Sequence, residues 1–286
     1  MEFRVIPDQE TQLAELMTGG VDWIWRVQAD QAKQLESVPN LKVLAAETMR
    51  VGFLQLDARG QSPGAAPLKD VRVRQAIAYA IDRKAMLDNL VRGGARIMNS
   101  ACFIDQFGCT DKGVPRYDYD PAKAKKLLAE AGFADGFTID LYAYREREYA
   151  EAVVGYLRAV GIKANLNFMK YAALRELARA GKVPIYYQTW GSFSVADASA
   201  FTGAWFKGDE DDLARDEEIT QLLKTADTTV ETETRLKTYA EALKLIAERT
   251  YLVPLFSYSS NYAFTSDLSF TAQPDELPRF FQAKWK

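Results

Sequence analysis

The chain is 286 residues long, 48% of them hydrophobic, with 36 basic against 39 acidic side chains and a net charge of −3. That is enough apolar material for one large or two smaller packed domains, and neither charge sign gathers into the long run that a nucleic-acid or anionic-membrane surface needs. Histidine is absent and cysteine occurs only at positions 102 and 109, which excludes a Ser-His-Asp or Cys-His nucleophile and a zinc site, so no metal and no cofactor is expected.

The first twenty residues lack a basic segment followed by an apolar core, and no stretch has the roughly eighteen uninterrupted apolar residues of a membrane span. Phe3 to Ile6 reads as a short strand. Asp8 then caps a helix with Leu13, Leu16 and Met17 on its apolar face, stopped by Gly19-Gly20. A strand follows at Val21–Trp25, a helix at Ala29–Leu35, and further strands at Leu41–Ala45 and Arg50–Asp57. The stretch from Asp70 to Val91 is the most patterned of all. Asp70 stands at an N-cap, and Val73, Ile77, Ala80 and Ile81 recur at helical spacing, with Arg72 and Arg74 expected on the other side. Asp82 restarts the pattern as a second cap, which predicts a tight corner between two helices. A long loop from Gly93 to Asp118 carries both cysteines. In an oxidising compartment Cys102 and Cys109 close a small disulfide loop; in a reducing one they are two separate thiols.

Beyond it the pattern alternates: helix Asp120–Ala131, strand Phe137–Tyr144, helix Glu146–Val160, strand Lys163–Met169, helix Leu174–Ala180, strand Val183–Trp190. Short strands separated by helices of about ten residues predict βαβ units and an α/β fold. Three helices follow, at Ala198–Trp205, Asp216–Ala226 and Glu231–Glu248, the last with Leu236, Tyr239, Leu243 and Ile246 inward. Strands at Tyr251–Tyr258 and Tyr262–Thr265 end in an aromatic tail.

The run from Asp70-Val71-Arg72-Val73-Arg74-Gln75-Ala76 through Ile77-Ala78-Tyr79-Ala80-Ile81-Asp82-Arg83 resembles the signature of the family 5 extracytoplasmic solute-binding proteins, which serve ABC importers of peptides, nickel and opines. Tyr119-Asp120-Pro121, Leu127-Leu128-Ala129-Glu130-Ala131-Gly132-Phe133 and Gly20-Val21-Asp22-Trp23-Ile24 agree in order. The resemblance implies a periplasmic-binding-protein-like architecture: residues 50–254 as the α/β ligand-binding lobe III, and residues 1–49 and 255–286 as a partial lobe I. It also implies that most of lobe I and all of lobe II precede this sequence in such proteins, so the chain resembles a C-terminal half. A small solute, such as an oligopeptide or related compound, is then expected between two lobes. The expected partners are membrane permease subunits, the location is extracytoplasmic, and the full-length form is a monomer. The cysteine bridge is favoured by the same resemblance.

Such a protein needs a cleft with aromatic walls and a few placed polar groups, and open α/β sheets bind ligands at the C-terminal ends of their strands. Tyr186-Tyr187-Gln188-Thr189-Trp190 ends a strand and hands over to Gly191-Ser192-Phe193-Ser194, which makes Trp190, Tyr187 and Phe193 candidate cleft residues. The plain alternative is that alternate residues of this strand are core and the rest solvated. In peptide-binding members an aspartate shortly after a Gly-Trp pair holds the ligand's amino group. Here Thr189-Trp190 replaces the pair, Phe193 fills the nearer slot, and Asp197, several positions later, matches a structural helix cap better. Arg145 and Arg147 stand where some members place a carboxylate-binding arginine; otherwise they belong to a solvated charge cluster with Glu146 and Glu148. Two other classes remain open at this point: an α/β hydrolase of the glycosidase kind using paired carboxylates, and a stand-alone ligand-sensing or interaction domain.

Overall fold

The computed structural model describes all residues except Arg92 and the side chain of Phe193. The chain divides into two compact units, one of Arg50–Leu90 and Arg96–Ser257, the other of Met1–Met49, Val91–Ala95 and Tyr258–Lys286. Two long strands, β2 (Leu41–Leu56) and β6 (Leu252–Thr265), carry the chain from one unit to the other.

In the larger unit the sheet runs β6, β2, β5 (Ile185–Trp190), β3 (Phe137–Ala143), β4 (Ile162–Phe168). β3 is parallel to both β4 and β5, whereas β2 is antiparallel to β5 with Val51 opposite Trp190 and Leu56 opposite Ile185. The α/β alternation read from the sequence is therefore present as a βαβαβ unit, with helices α6 (Arg147–Ala159) and α7 (Tyr171–Arg179) as its crossovers. α6 buries Tyr149, Ala150, Val153, Val154 and Leu157 at helical spacing, which fixes its face against the sheet. Gly136 opens β3 with φ +73°, and a Cβ there would meet the Gly161 carbonyl oxygen at 1.9 Å, so this turn tolerates only glycine.

Helix α3 (Val71–Ala80) and helix α4 (Arg83–Met86) form the corner that the two aspartates predict. Asp70 accepts from the Arg72 N–H at 2.8 Å and Asp82 from the Ala85 N–H at 2.8 Å, each satisfying a donor that the first helical turn leaves open. Arg72 closes on Asp70 and donates to the Glu130 carbonyl at 2.7 Å, at the end of helix α5 (Pro121–Glu130). Arg74 departs from expectation: it is 4% exposed. Its guanidinium donates to the carbonyls of Leu68 at 2.7 Å and Arg249 at 2.6 Å, so its burial is compensated by carbonyls at the ends of helical segments.

Other departures have equally local causes. Phe3–Ile6 is not a strand; Arg4 instead binds the Glu15 carboxylate at 2.8 Å and the Gly20 carbonyl at 2.9 Å. The strands expected at Leu41–Ala45 and Arg50–Asp57 are one strand, as are those at Tyr251–Tyr258 and Tyr262–Thr265. Their polar interruptions are bonded: the Thr48 hydroxyl donates to the Tyr258 carbonyl at 3.1 Å, and Asn261 Nδ2 donates to the Val27 carbonyl at 2.9 Å. Met17 and Leu236 face solvent rather than core, 56% and 40% exposed.

The smaller unit is built around helix α1 (Gln9–Thr18), helix α2 (Ala29–Leu35) and strand β1 (Trp23–Trp25), which pairs antiparallel with Tyr262–Phe264. Leu13, Leu16, Ile24, Leu35, Leu41 and Ala263 form one apolar cluster. Trp23, Tyr262, Phe264, Phe270 and Phe280 form an aromatic one beside β7 (Leu268–Ser269) and β8 (Lys284–Trp285).

Candidate solute-binding site

Because β3, β4 and β5 are parallel, their C-terminal ends share one edge of the larger unit, and the part of antiparallel β2 that pairs with β5 begins at that same edge, at Val51. Trp190 ends β5, Tyr144 and Arg145 follow β3, and Arg50 precedes the fully buried run Val51–Leu56 of β2. This is the edge at which open α/β sheets bind ligands.

Trp190 is half-buried. Its indole N–H donates to the Ala200 carbonyl at 2.6 Å in helix α8 (Ser199–Trp205), and its ring meets Trp205 edge-on at 5.4 Å. Trp205 in turn packs on Phe53 of β2 at 5.6 Å, so the indole is held by an aromatic stack rooted in the core. Tyr187, facing the other way along the strand, is fully buried and lines no surface of this unit. Phe193 has a described backbone, but its side chain lies outside the described residues. The turn that carries it is strained: Ser192 and Ser194 have φ of +56° and +69°, unusual for residues with a Cβ, and such strain gathers at functional turns.

The polar part of the edge centres on Thr189, 5% exposed. Its hydroxyl lies 3.2 Å from Arg50 Nη1, 3.4 Å from Arg145 Nη1 and 3.4 Å from the Tyr144 hydroxyl. Arg145 is also gripped by Glu146, whose two carboxylate oxygens each accept from its Nε at 2.6 Å. Tyr144 packs against Tyr171, ring centroids 4.9 Å apart, which adds an aromatic pair at this edge. Arg147 is not part of this group: it begins α6, pairs with Glu151 at 2.7 Å on the surface and lies over the Phe168 ring at 5.5 Å. Arg50 and Tyr144 are the residues that sequence reasoning missed, since only strand register brings them to Thr189.

Asp197 belongs to the scaffold behind the edge. It accepts from the Ser199 N–H at 2.9 Å, from Arg235 Nη2 at 2.8 Å and from the Tyr239 hydroxyl at 3.3 Å. Burial alone would raise its carboxyl, but the Ser199 N–H and the Arg235 guanidinium outweigh that and hold it below its usual range. Next to it docks the loop between Cys102 and Cys109, whose sulfurs are bonded to each other. Buried Gln106 donates to the Val195 carbonyl at 2.8 Å, the Phe107 N–H to the Ala196 carbonyl at 3.0 Å, and the Ala198 N–H to the Phe107 carbonyl at 2.8 Å. The small disulfide loop thus props the segment that follows Trp190. It closes fewer residues than a fifteen-residue loop and so contributes less than about 3 kcal/mol. Thiol titration of the denatured, unreduced chain is expected to find no reactive thiol and, after reduction, both cysteines; two thiols before reduction would remove the prop.

Two concavities lie away from this edge. One of about 380 Å³ is lined by Leu41, Lys42, Phe264 and Phe270 in the smaller unit. The other, about 270 Å³, lies by Asp57, Arg179 and Asp212, near the opposite end of β2 and β5 from Trp190. Among the described residues no three His, Cys, Asp or Glu side chains gather as a metal site.

The larger unit thus presents an aromatic side chain and two guanidiniums at the C-terminal edge of its α/β sheet, and comparison with known proteins gives the chain a family. The chain belongs to the bacterial extracellular solute-binding proteins, family 5, matching that family's middle region over residues 1–212. It is 26% identical over 264 residues to heme-binding protein A of Haemophilus influenzae, covering 88% of this chain and 47% of that protein. It is likewise 26% identical over 299 residues to the glutathione-binding protein GsiB of Salmonella typhimurium, covering 96% of this chain and 55% of that one. HbpA2 from Haemophilus parasuis superposes with a TM-score of 0.82 at 24% identity, over 99% of this chain and 57% of its own. The chain therefore spans about half the length of the curated relatives it matches.

Proposed function

We propose that this chain is the solute-gripping part of the substrate-binding component of an ABC importer, working outside the cytoplasm. It holds a small solute, an oligopeptide or related compound, against the Trp190 edge and passes it to a membrane permease. In this reading residues 50–254 act as lobe III, residues 1–49 and 255–286 contribute to lobe I, and an opposing lobe closes over the solute. The protein binds and releases its solute without transforming it. Trp190 and Arg145 touch the solute, whereas Asp197 holds the loop behind them. The observation that carries the reading is that one sheet edge holds both the Trp190 indole, tethered to the Ala200 carbonyl, and the Arg145 guanidinium, which approaches Thr189. Membership of a family of solute-binding proteins, with relatives named for haem and glutathione binding, supports it.

The test is a thermal-shift screen of peptides and small acids, because a solute that binds only the native state raises the melting midpoint. A hit is expected for the wild-type chain, and Trp190→Ala is expected to weaken it about tenfold, in line with the roughly 0.5–1.5 kcal/mol of one aromatic contact plus its buried area. No hit from any solute class, or an unchanged affinity in the variant, would sink the assignment of this edge.

A further inference from the structure

A buried amide grips the segment that follows Trp190. Gln106 is 3% exposed, within the loop closed by the Cys102–Cys109 bridge. Its Oε1 accepts from the Phe103 N–H at 3.0 Å and its Nε2 donates to the Val195 carbonyl at 2.8 Å. One end of the side chain thus fixes the shape of the loop, and the other fixes the loop to the segment. An amide in such a place is costly unless both ends are paired, and an apolar side chain of similar size would pack there without that demand. What the amide adds is a directed link to Val195. The neighbouring contacts reach the same few residues. The Phe107 N–H donates to the Ala196 carbonyl at 3.0 Å and its carbonyl accepts from the Ala198 N–H at 2.8 Å, which sets Phe107 beside Asp197 in a parallel bridge. Gly108 has φ +78°, and a Cβ there would come within 2.5 Å of the Tyr239 ring, so the loop lies this close only because the position is glycine.

From this segment the chain runs directly into α8. Asp197 accepts from the Ser199 N–H at 2.9 Å at the start of the helix, and the Ala200 carbonyl in its first turn accepts the Trp190 indole N–H at 2.6 Å. Trp205, at the far end of α8, meets the same indole edge-on at 5.4 Å. A shift of residues 195–198 therefore moves both contacts that hold the indole. A binding side chain fixed beforehand has no such freedom left to lose when a solute arrives, which is why its supports matter to affinity.

Resting on the reading above that Trp190 touches the solute, we infer that Gln106 is a positioning residue of this edge: through Val195 and the start of α8 it sets where the Trp190 indole stands. It acts without contact to the solute.

The test follows the indole itself, in the full 286-residue chain. Near-ultraviolet circular dichroism senses aromatic side chains in fixed packing. The spectrum of each protein minus that of its Trp190→Phe counterpart isolates the contribution of Trp190 and its contact with Trp205. Gln106→Leu, which takes this partner from the Val195 carbonyl and the Phe103 N–H, is expected to lose more than half of that contribution. Gln106→Glu gives the sharper result and carries the test if the leucine variant does not fold. Ionised, its carboxylate has no donor for the Val195 carbonyl; protonated, it has an O–H donor and a carbonyl acceptor in the places of the amide. Burial favours the neutral acid and raises its pKa. The Trp190 contribution of this variant should therefore be close to that of the wild type at pH 5 and fall by more than half toward pH 9, while the wild type stays level. A leucine variant that keeps the full Trp190 contribution, however much lower it melts, would make Gln106 an ordinary packing residue and overturn the inference. So would a glutamate variant whose spectrum is the same at pH 5 and pH 9. The outcome is separate from that of the solute screen: an unmoved indole removes the role of Gln106 and leaves the solute edge standing, whereas a screen without a hit removes the edge and leaves the tether.

Discussion

Replacing Arg83 by alanine is expected to destabilise the larger unit by about 3–5 kcal/mol, the range for removing one side of a buried charged network. Arg83 is 6% exposed at the start of α4. Its Nη1 donates to the carbonyls of Met98 at 2.7 Å and Pro254 at 3.2 Å, and its Nη2 to the Tyr117 carbonyl at 3.1 Å and Asn99 Oδ1 at 3.3 Å. One fork therefore ties α4 to the long loop after it and to β6, elements far apart in sequence. Burial pushes the guanidinium down from its ordinary value, while Asp118 pulls it back up. The charge is costly to bury, and its removal is costlier, because four acceptors lose their donor at about 1–3 kcal/mol for each that stays dry. Urea unfolding of Arg83→Ala measures this directly. Arg83→Lys, with a single ammonium in place of the fork, should recover only part of the loss. A change under about 1 kcal/mol for the alanine variant would show that water replaces the fork. The same contacts explain the sequence signature from Asp70 to Arg83: two caps and three arginines bonded to a local acid and to carbonyls of helix ends, loops and β6, the contacts of a scaffold.

What the sequence discloses is what local chemistry decides. The caps Asp8, Asp70 and Asp82 were legible because a cap answers to donors two or three residues away. The βα alternation was legible because its periods are short. Arg74 and Arg83 were not, since a charged side chain at helical spacing reads as solvent-facing until its acceptors near residues 249 and 254 are known. β2 and β6 were broken in the reading by polar residues such as Thr48 and Asn261, whose partners lie far away in the sequence, the Tyr258 and Val27 carbonyls. At the site, Trp190 and Arg145 stood out as strand-end residues, whereas Tyr187 points into the core and Arg147 to the surface. Arg50 had no local signal at all, because its link to Thr189 spans 139 positions and exists only through the antiparallel register of β2 and β5.

Asp197 separates the scaffold from the site, and its substitution carries the other large expected effect. Asp197→Ala should cost about 2–4 kcal/mol, somewhat below the range for a fully buried pair because its side chain and that of Arg235 remain 19% and 24% exposed. The loss comprises the Ser199 N–H, the Arg235 pair and the Tyr239 hydroxyl. Arg235 keeps the Ala226 carbonyl at 3.0 Å and its place over the Phe107 ring, so it is left underused rather than stranded. The effect depends on pH with a definite sign. The folded carboxyl is held below its ordinary value, so its stabilisation is fully present above the unfolded aspartate pKa of about 3.9 and is lost as pH falls through the lower folded value. Denaturation of wild type and variant should therefore show the full gap at pH 7 and a shrinking one below about pH 4. Asp197→Asn, which keeps an acceptor for the Ser199 N–H but not the charge, should fall between them and bind solute within a few-fold of wild type. An Asn variant as stable as the wild type that nonetheless loses solute affinity tenfold would place this carboxylate on the solute and move the recognition surface beyond Trp190, into the loop that the disulfide props.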